Sequence, residues 1–504
     1  MHTPTRREAF QLGAAGVAAV GLNGSPVAAS SVTADEYTFH YDHILGTSLD
    51  ARLIATPAAT EQAEQVVLDE IERLRAVFSV HDPESELSRL NRASGPVRLS
   101  ADLLAVLREY ERWQRESGGA CNGQVGALTR AWDEAAKRGE LPDAAGLAAV
   151  VRRIASPGWR IDGEFVTRLT DQPLNLNSIA KGYILHRAAE AVKAVPGVAA
   201  GLLDLGGDLC AWGDVDWAVG VQAPFAPADN APPHSTIRLR SASVATSGSY
   251  QRWYEVVGVR RSHILDPRTG YPADAVASAT VVAPDSTTAN AIATVLCALG
   301  AEAGLKWVAD IPGAAALLID ADGREHRSPN FVNFRVPDDK KPAEKKDDAK
   351  KGEAWPAGYE VTVKLELPAM GGRYRRPYVA VWVEDADGKP VRTVTVWGNN
   401  PRWISTLSGW WKVGKEDKAL VKAVTRATRQ PGKYEVVWDG KDDAGKALPQ
   451  GTYTVKVEVH REHGKDVTQT GKLECKTEAA KLTLEKNAEA EETTVEYAKR
   501  EKKK

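Results

Sequence analysis

The stretch Asn175-Leu-Asn-Ser-Ile-Ala-Lys-Gly-Tyr183 decides how the first half of this chain folds. It leaves a polar segment and opens a helix, because Ala180, Ile184, Ala188 and Ala191 then continue one apolar face at helical spacing. Two further motifs follow in order, Leu203-Asp-Leu-Gly-Gly-Asp208 and His263-Ile-Leu-Asp-Pro-Arg-Thr-Gly-Tyr-Pro272. Each puts glycine and polar groups where the chain leaves one element, and glycine allows positive φ and close backbone approach. Three such motifs in series predict a single nucleotide-type site assembled from distant segments.

Working outward, helix and strand patterns alternate. Glu61 to Phe78 carries Val66, Val67, Ile71, Leu74 and Val77 at helical spacing, and Leu103 to Trp113 behaves alike. The runs Ala200–Leu205, Trp217–Val221 and Ala277–Ala283 read as strands. Residues 31–336 therefore form an α+β domain. Residues 337–354 balance acid against lysine and hold almost no large apolar side chain, the composition of a solvated linker. Beyond it the character is all-β. Tyr359–Leu367, Tyr378–Glu384, Val391–Trp397 and Thr452–Val459 alternate with period two, punctuated by Asp387-Gly388, Asp439-Gly440 and Ala444-Gly445. Residues 355–498 are expected to form a sandwich, and 499–504 a basic tail. Trp382, Trp397, Trp403, Trp410, Trp411 and Trp438 crowd this module. They read first as core, second as a carbohydrate or peptide platform.

The chain has 504 residues, enough for two or three domains, and is 43% hydrophobic and 26% charged, the balance of a soluble globular protein. Its formal net charge of −2 argues against a general nucleic-acid binder. Its ten histidines show no metal-ligand spacing. Thr5-Arg6-Arg7 precedes an apolar stretch from Leu12 to Leu22 and then Val27-Ala28-Ala29, the layout of an export signal over residues 1–30. The paired arginines favour the twin-arginine route, and hence an exported, periplasmic or otherwise extracytoplasmic location. A membrane span needs about 20 apolar residues, so no transmembrane segment is expected in the mature chain. Cys121, Cys210, Cys297 and Cys475 form no CxxC pair, and the sequence leaves their pairing open.

On these motifs the first domain resembles the FAD:protein FMN transferases, the ApbE family. The resemblance runs from about Tyr41 to Gly300 and includes Ile44-Leu-Gly-Thr47, Phe78–Asn91, Ser247-Gly-Ser-Tyr250 and Ala289-Asn-Ala-Ile-Ala-Thr294. It implies an exported Mg2+-dependent enzyme that moves FMN from FAD to a threonine of a partner protein through a phosphoester, releasing AMP. The acceptor is expected to be another exported protein, because Val244-Ala-Thr246-Ser lacks the upstream aspartate of an acceptor motif. The resemblance puts metal ligands at Ser178 (through its carbonyl), Asn290 and Thr294. Asn290 and Thr294 are one helical turn apart and can face a common ion. Lys181 is expected near the phosphates, at the start of a helix. His263 is the candidate general base, with Asp266 either orienting it or capping the turn. Leu45, His81, Ala120, Cys121, Asn122 and Asn175 match positions that hold the flavin or adenosine. Glu86 and Arg89 read as local helix-start contacts.

Family members usually carry an acid where this chain has Asn122, Asn175 and Asn290. Mg2+ prefers hard, charged oxygen, so Asp285, Asp204 and Asp208 are candidate replacements, with Asp285 read first as a helix N-cap. The C-terminal module resembles a domain of unknown function found behind flavin transferases. Trp438–Tyr453 also resembles an Ig-like strand-turn-strand of flagellar-hook assembly proteins. Two other readings stay open: an FAD-binding protein that is inactive or only hydrolyses FAD, and an extracytoplasmic binding protein acting through its sandwich.

Overall fold

The computed structural model describes residues 34–225, 233–249, 252–336, 353–368, 377–398, 404–415, 425–426, 429, 431–461 and 467–499. The expected export signal, most of the expected linker, Trp403 and residues 500–504 lie outside them.

An eight-stranded sheet organises the first domain, with neighbours in the order 35–44, 47–55, 198–205, 208–212, 243–248, 276–283, 315–320 and 325–327. Every pairing in it is antiparallel. Its inner strand Val276–Ala283 is buried at every position, as a strand covered on both faces must be. One face carries the helices Pro57–Phe78, Ala101–Glu116, Asn177–Lys193 and Ser286–Leu299. Their apolar sides meet Leu49, Ala51, Leu53, Leu203, Leu205, Val281 and Ala283 in one core. The other face is closed by the hairpin of Trp217–Val221 and Ser235–Leu239, which packs on Ala200, Leu202, Val244 and Leu317. The expected helices and strands are all present, with ends shifted by a few residues.

Gly182 fixes how two of these helices cross. It lies inside the helix Asn177–Lys193, and a Cβ there would stand 2.3 Å from the Ser286 carbonyl oxygen and 2.7 Å from the Asn290 Cβ. The glycine therefore serves a close helix crossing. The close approach expected of this glycine is to a neighbouring helix, where the motif had suggested a ligand.

Beyond residue 353 two sheets stack as a sandwich. One has strands in the order 432–438, 359–367, 493–499 and 480–484; the other runs 425–426, 390–397, 378–384, 451–460 and 467–475. Trp397, Trp438, Tyr453, Tyr497 and the inward valines fill the space between them. Trp382 and Trp410 are buried in a second, smaller cluster, so four of the six tryptophans noted in the sequence are core. The all-β expectation holds in the two sheets, with two local differences. A short helix, Ser408–Gly414, is present, held because Glu458 accepts hydrogen bonds from the N–H groups of Gly409 and Trp410. Lys499, expected in the tail, ends a strand and pairs with Tyr359.

Candidate active site

Two tight turns lie side by side at one end of the large sheet. Leu45 and Gly46 join the first two strands with φ of 51° and 78°, the paired positive values of a two-residue type I′ hairpin. A leucine there is strained, and such strain concentrates at ligand clamps. Gly206 and Gly207, with φ of 58° and 86°, reverse the chain between the strands ending at Leu205 and starting at Asp208. A Cβ on Gly206 would meet the Thr47 hydroxyl at 2.1 Å, so the two turns touch.

Lys181 reaches this corner from the helix. Its Nζ donates to the Gly206 carbonyl at 3.0 Å and lies 3.2 Å from Asp208 Oδ2. Asp208 is only 2% exposed. Burial pushes its carboxyl up, against the pull of Lys181, and the Thr246 N–H also donates to it. Asn290 Nδ2 donates to the same Oδ2 at 3.0 Å, while its Oδ1 accepts from Gly182 N at 3.4 Å. Ordinary helical register makes the Ser178 carbonyl the other acceptor for that N–H, so Ser178 and Asn290 converge on one donor. Thr294 Oγ1 lies one turn along, bonded at 3.3 Å to both the Asn290 carbonyl and Ser247 Oγ. The structure thus gathers Ser178, Lys181, Asn290 and Thr294, and adds Asp208 and Ser247. Among the described residues no three His, Cys, Asp or Glu side chains group as a metal site.

The remaining sequence candidates stand on other segments. His263 Nδ1 is 3.0 Å from the Arg252 carbonyl. Burial holds the imidazole below its ordinary value, with the Arg252 charge adding to the shift. The Asp266 carboxylate accepts from the Arg268 backbone N–H and from Nε–H and Nη2–H of that guanidinium, contacts that match the turn-capping reading. Asn122 is 5% exposed and engaged at both ends of its amide, donating to the Ile154 carbonyl and accepting from Gln124 N. Asn175 N donates to the Gly123 carbonyl, which sets Asn175 beside the Ala120–Asn122 turn. Ala120 and Cys121 are buried, and burial pushes the Cys121 thiol up to about 12. His81 is exposed. Glu86 accepts from Ser100 N and Oγ, at the start of the next helix 14 residues on, where a contact within its own helix start was expected. All four cysteines are free and buried.

Of the three candidate replacement carboxylates, only Asp208 touches Asn290. Asp285 caps its helix through Thr288 N and Oγ1. Asp204 accepts from Gly207 N and pairs across the strands with Asp50. The sequence carried this signal only as an acid directly after a double glycine.

The family model for ApbE matches residues 45–318, more than half of the 504 residues. The chain belongs to the ApbE family. A second model, described as "Predicted periplasmic protein (DUF2271)", matches residues 360–492. The chain is similar to the FAD:protein FMN transferase of Treponema pallidum, 31% identical over 315 residues, covering 58% of this chain and 86% of that protein. A Klebsiella pneumoniae FAD:protein FMN transferase is 32% identical over 240 residues, covering 46% and 74%. Among solved structures, the ApbE protein of Thermotoga maritima matches with a TM-score of 0.55 at 28% identity, covering 60% of this chain and all of that one. The flavin transferase ApbE of Vibrio cholerae matches with a TM-score of 0.51 at 25% identity, over 60% and 99%. Homology to flavin transferases therefore holds in both sequence and structure, and it covers the α+β part of the ApbE-family chain. Among the described residues no helix is long and apolar enough to cross a membrane.

Proposed function

We propose that this chain moves FMN from FAD to a threonine hydroxyl of an exported acceptor protein, with Mg2+ as cofactor and AMP as the leaving product. The observation that carries this reading is His263. With Nδ1–H donated to the Arg252 carbonyl, the lone pair lies on Nε2, and the lowered pKa keeps the ring neutral at pH 7. It is a base waiting for a proton.

The residues around Asn290 fit Mg2+ in kind: the Ser178 carbonyl, the Asn290 amide, the Thr294 hydroxyl and the Asp208 carboxylate are all hard oxygen donors. When bound, the ion would neutralise the pyrophosphate and the departing phosphate. Lys181, on the first turns of its helix, adds a cation beside the helix N-terminus, a place that favours phosphate. Leu45, His81, Ala120, Cys121, Asn122 and Asn175 hold the flavin or adenosine, Asn122 through its backbone because its side chain is already engaged. The threonine oxygen then attacks the FMN-side phosphorus, its proton passes to His263 Nε2, and the bond to the AMP phosphate breaks.

An exported location is supported by the basic and apolar pattern of residues 1–30 and by the description of the family matched by residues 360–492. The deciding experiment incubates the protein with FAD, Mg2+ and a generic flavin-acceptor domain. In-gel fluorescence of the acceptor together with AMP supports transfer. AMP without labelled acceptor favours FAD hydrolysis, and neither product rejects both.

A further inference from the structure

We infer that Asp208 supplies the negative charge of the divalent-metal site, so that the carboxylate of this site stands on a strand while the helix Ser286–Leu299 contributes the neutral amide of Asn290. The inference rests on the metal reading above.

Asp208 is buried, and its Oδ2 is met at once by the Lys181 ammonium at 3.2 Å and the Asn290 amide nitrogen at 3.0 Å. A carboxylate this far from water requires a cation close by. In the structure that cation is Lys181, whose side chain is about one third exposed, against 2% for Asp208. The lysine is the partner open to solvent and the aspartate the enclosed one. When the phosphates of FAD draw the Lys181 ammonium away, Asp208 is left without its countercharge beside Asn290, one helical turn from Thr294. A divalent ion restores the balance there. Asn290 can follow: rotating its amide turns an oxygen toward the ion and gives up the long 3.4 Å bond from Gly182 N, whose N–H keeps the Ser178 carbonyl within the helix.

Neither other acid can take this part. Both oxygens of Asp285 bond to Thr288, and Asp204 is on the strand face turned toward Leu202 and Ala200, away from the helices. The arrangement also ties metal to substrate. Ion binding should be weak alone and strengthened by FAD, and the coupling must be reciprocal.

The test measures Mn2+ binding by electron paramagnetic resonance on the full chain, with and without FAD, for wild type, D208N, D285N and the exchange variant D208N/N290D. Wild type should bind Mn2+ at least tenfold more tightly with FAD than without it. D208N should lose that binding by tenfold or more, D285N should keep it, and the exchange variant should recover most of it by returning the charge to the helix. Wild-type binding that D208N leaves unchanged would overturn the inference while sparing the metal reading. A loss in D208N that the exchange does not restore would also overturn it, since the effect would then be one of packing. Absence of Mn2+ binding to FAD-loaded wild type would sink the metal reading and this inference with it.

Discussion

Asp50 and Asp204 stand directly opposite each other on neighbouring antiparallel strands, and the pair is tied to His40, whose Nδ1 lies 2.7 Å from Asp50. Burial, reinforced by the Asp50 charge, pushes the Asp204 carboxyl up to about 7. An unfolded aspartate titrates near about 3.9. The folded protein therefore holds this proton more tightly than the unfolded chain does. Stability from this group is greatest below about pH 4 and is lost as pH rises toward 7. Asp204→Asn keeps an acceptor for Gly207 N and removes the charge. Its melting temperature relative to wild type should be higher at pH 8 than at pH 5. Parallel profiles for the two proteins would rule out an elevated Asp204.

His263→Asn removes the proposed base. Flavin transfer should fall by roughly 10²- to 10⁴-fold, with FAD affinity, read by quenching of flavin fluorescence, nearly unchanged. In wild type the ionisation that switches activity on should lie below the ordinary histidine value of about 6.5, because burial disfavours the charged ring. An activity limb above pH 7 would point to another base.

Gly182→Ala sets two effects against each other. Alanine favours a helix by about 1 kcal/mol, but its methyl group would press on the Ser286 carbonyl and the Asn290 Cβ. Backbone cannot yield as a side-chain tip can, so a net loss of about 1–3 kcal/mol is expected, together with weaker FAD binding. Denaturant unfolding and FAD titration read the two effects separately.

Glu458 offers a control in the β-rich module. It is 1% exposed and receives the Gly409 and Trp410 N–H groups at 2.8 Å and 2.7 Å. Glu458→Gln turns one acceptor into a donor facing an N–H, at a cost of about 1–3 kcal/mol. The unfolding midpoint should drop while FAD affinity stays the same.

Much of this architecture was legible in the sequence because periodicity reports burial directly. The helix after Asn175 and the strands around 200 and 280 follow from spacing alone. The roles within the motifs were less legible. Gly182 reads as a glycine placed for close approach to a ligand, and only the packed helices reveal that it admits a neighbour's carbonyl. Asp204, Asp208 and Asp285 are three plausible acids in one dimension. Strand alternation turns Asp204 away from the helices, capping occupies Asp285, and only Asp208 is left against Asn290. The helix Ser408–Gly414 escaped notice because its stabilising carboxylate lies far along the chain at Glu458.

The strand Thr47–Ala55 pairs on one side with its immediate predecessor and on the other with Val198–Leu205, with six helices lying between them in the chain. The first hairpin can therefore close early, yet its inner edge stays an open row of N–H and C=O groups until the later strand has been synthesised. Pairings this distant in sequence form slowly and leave partly folded chains prone to association. The Leu45–Gly46 turn is thus made early and seated late. A chain interrupted before residue 198 would carry the Leu45–Gly46 turn on a hairpin whose open edge any passing strand could join.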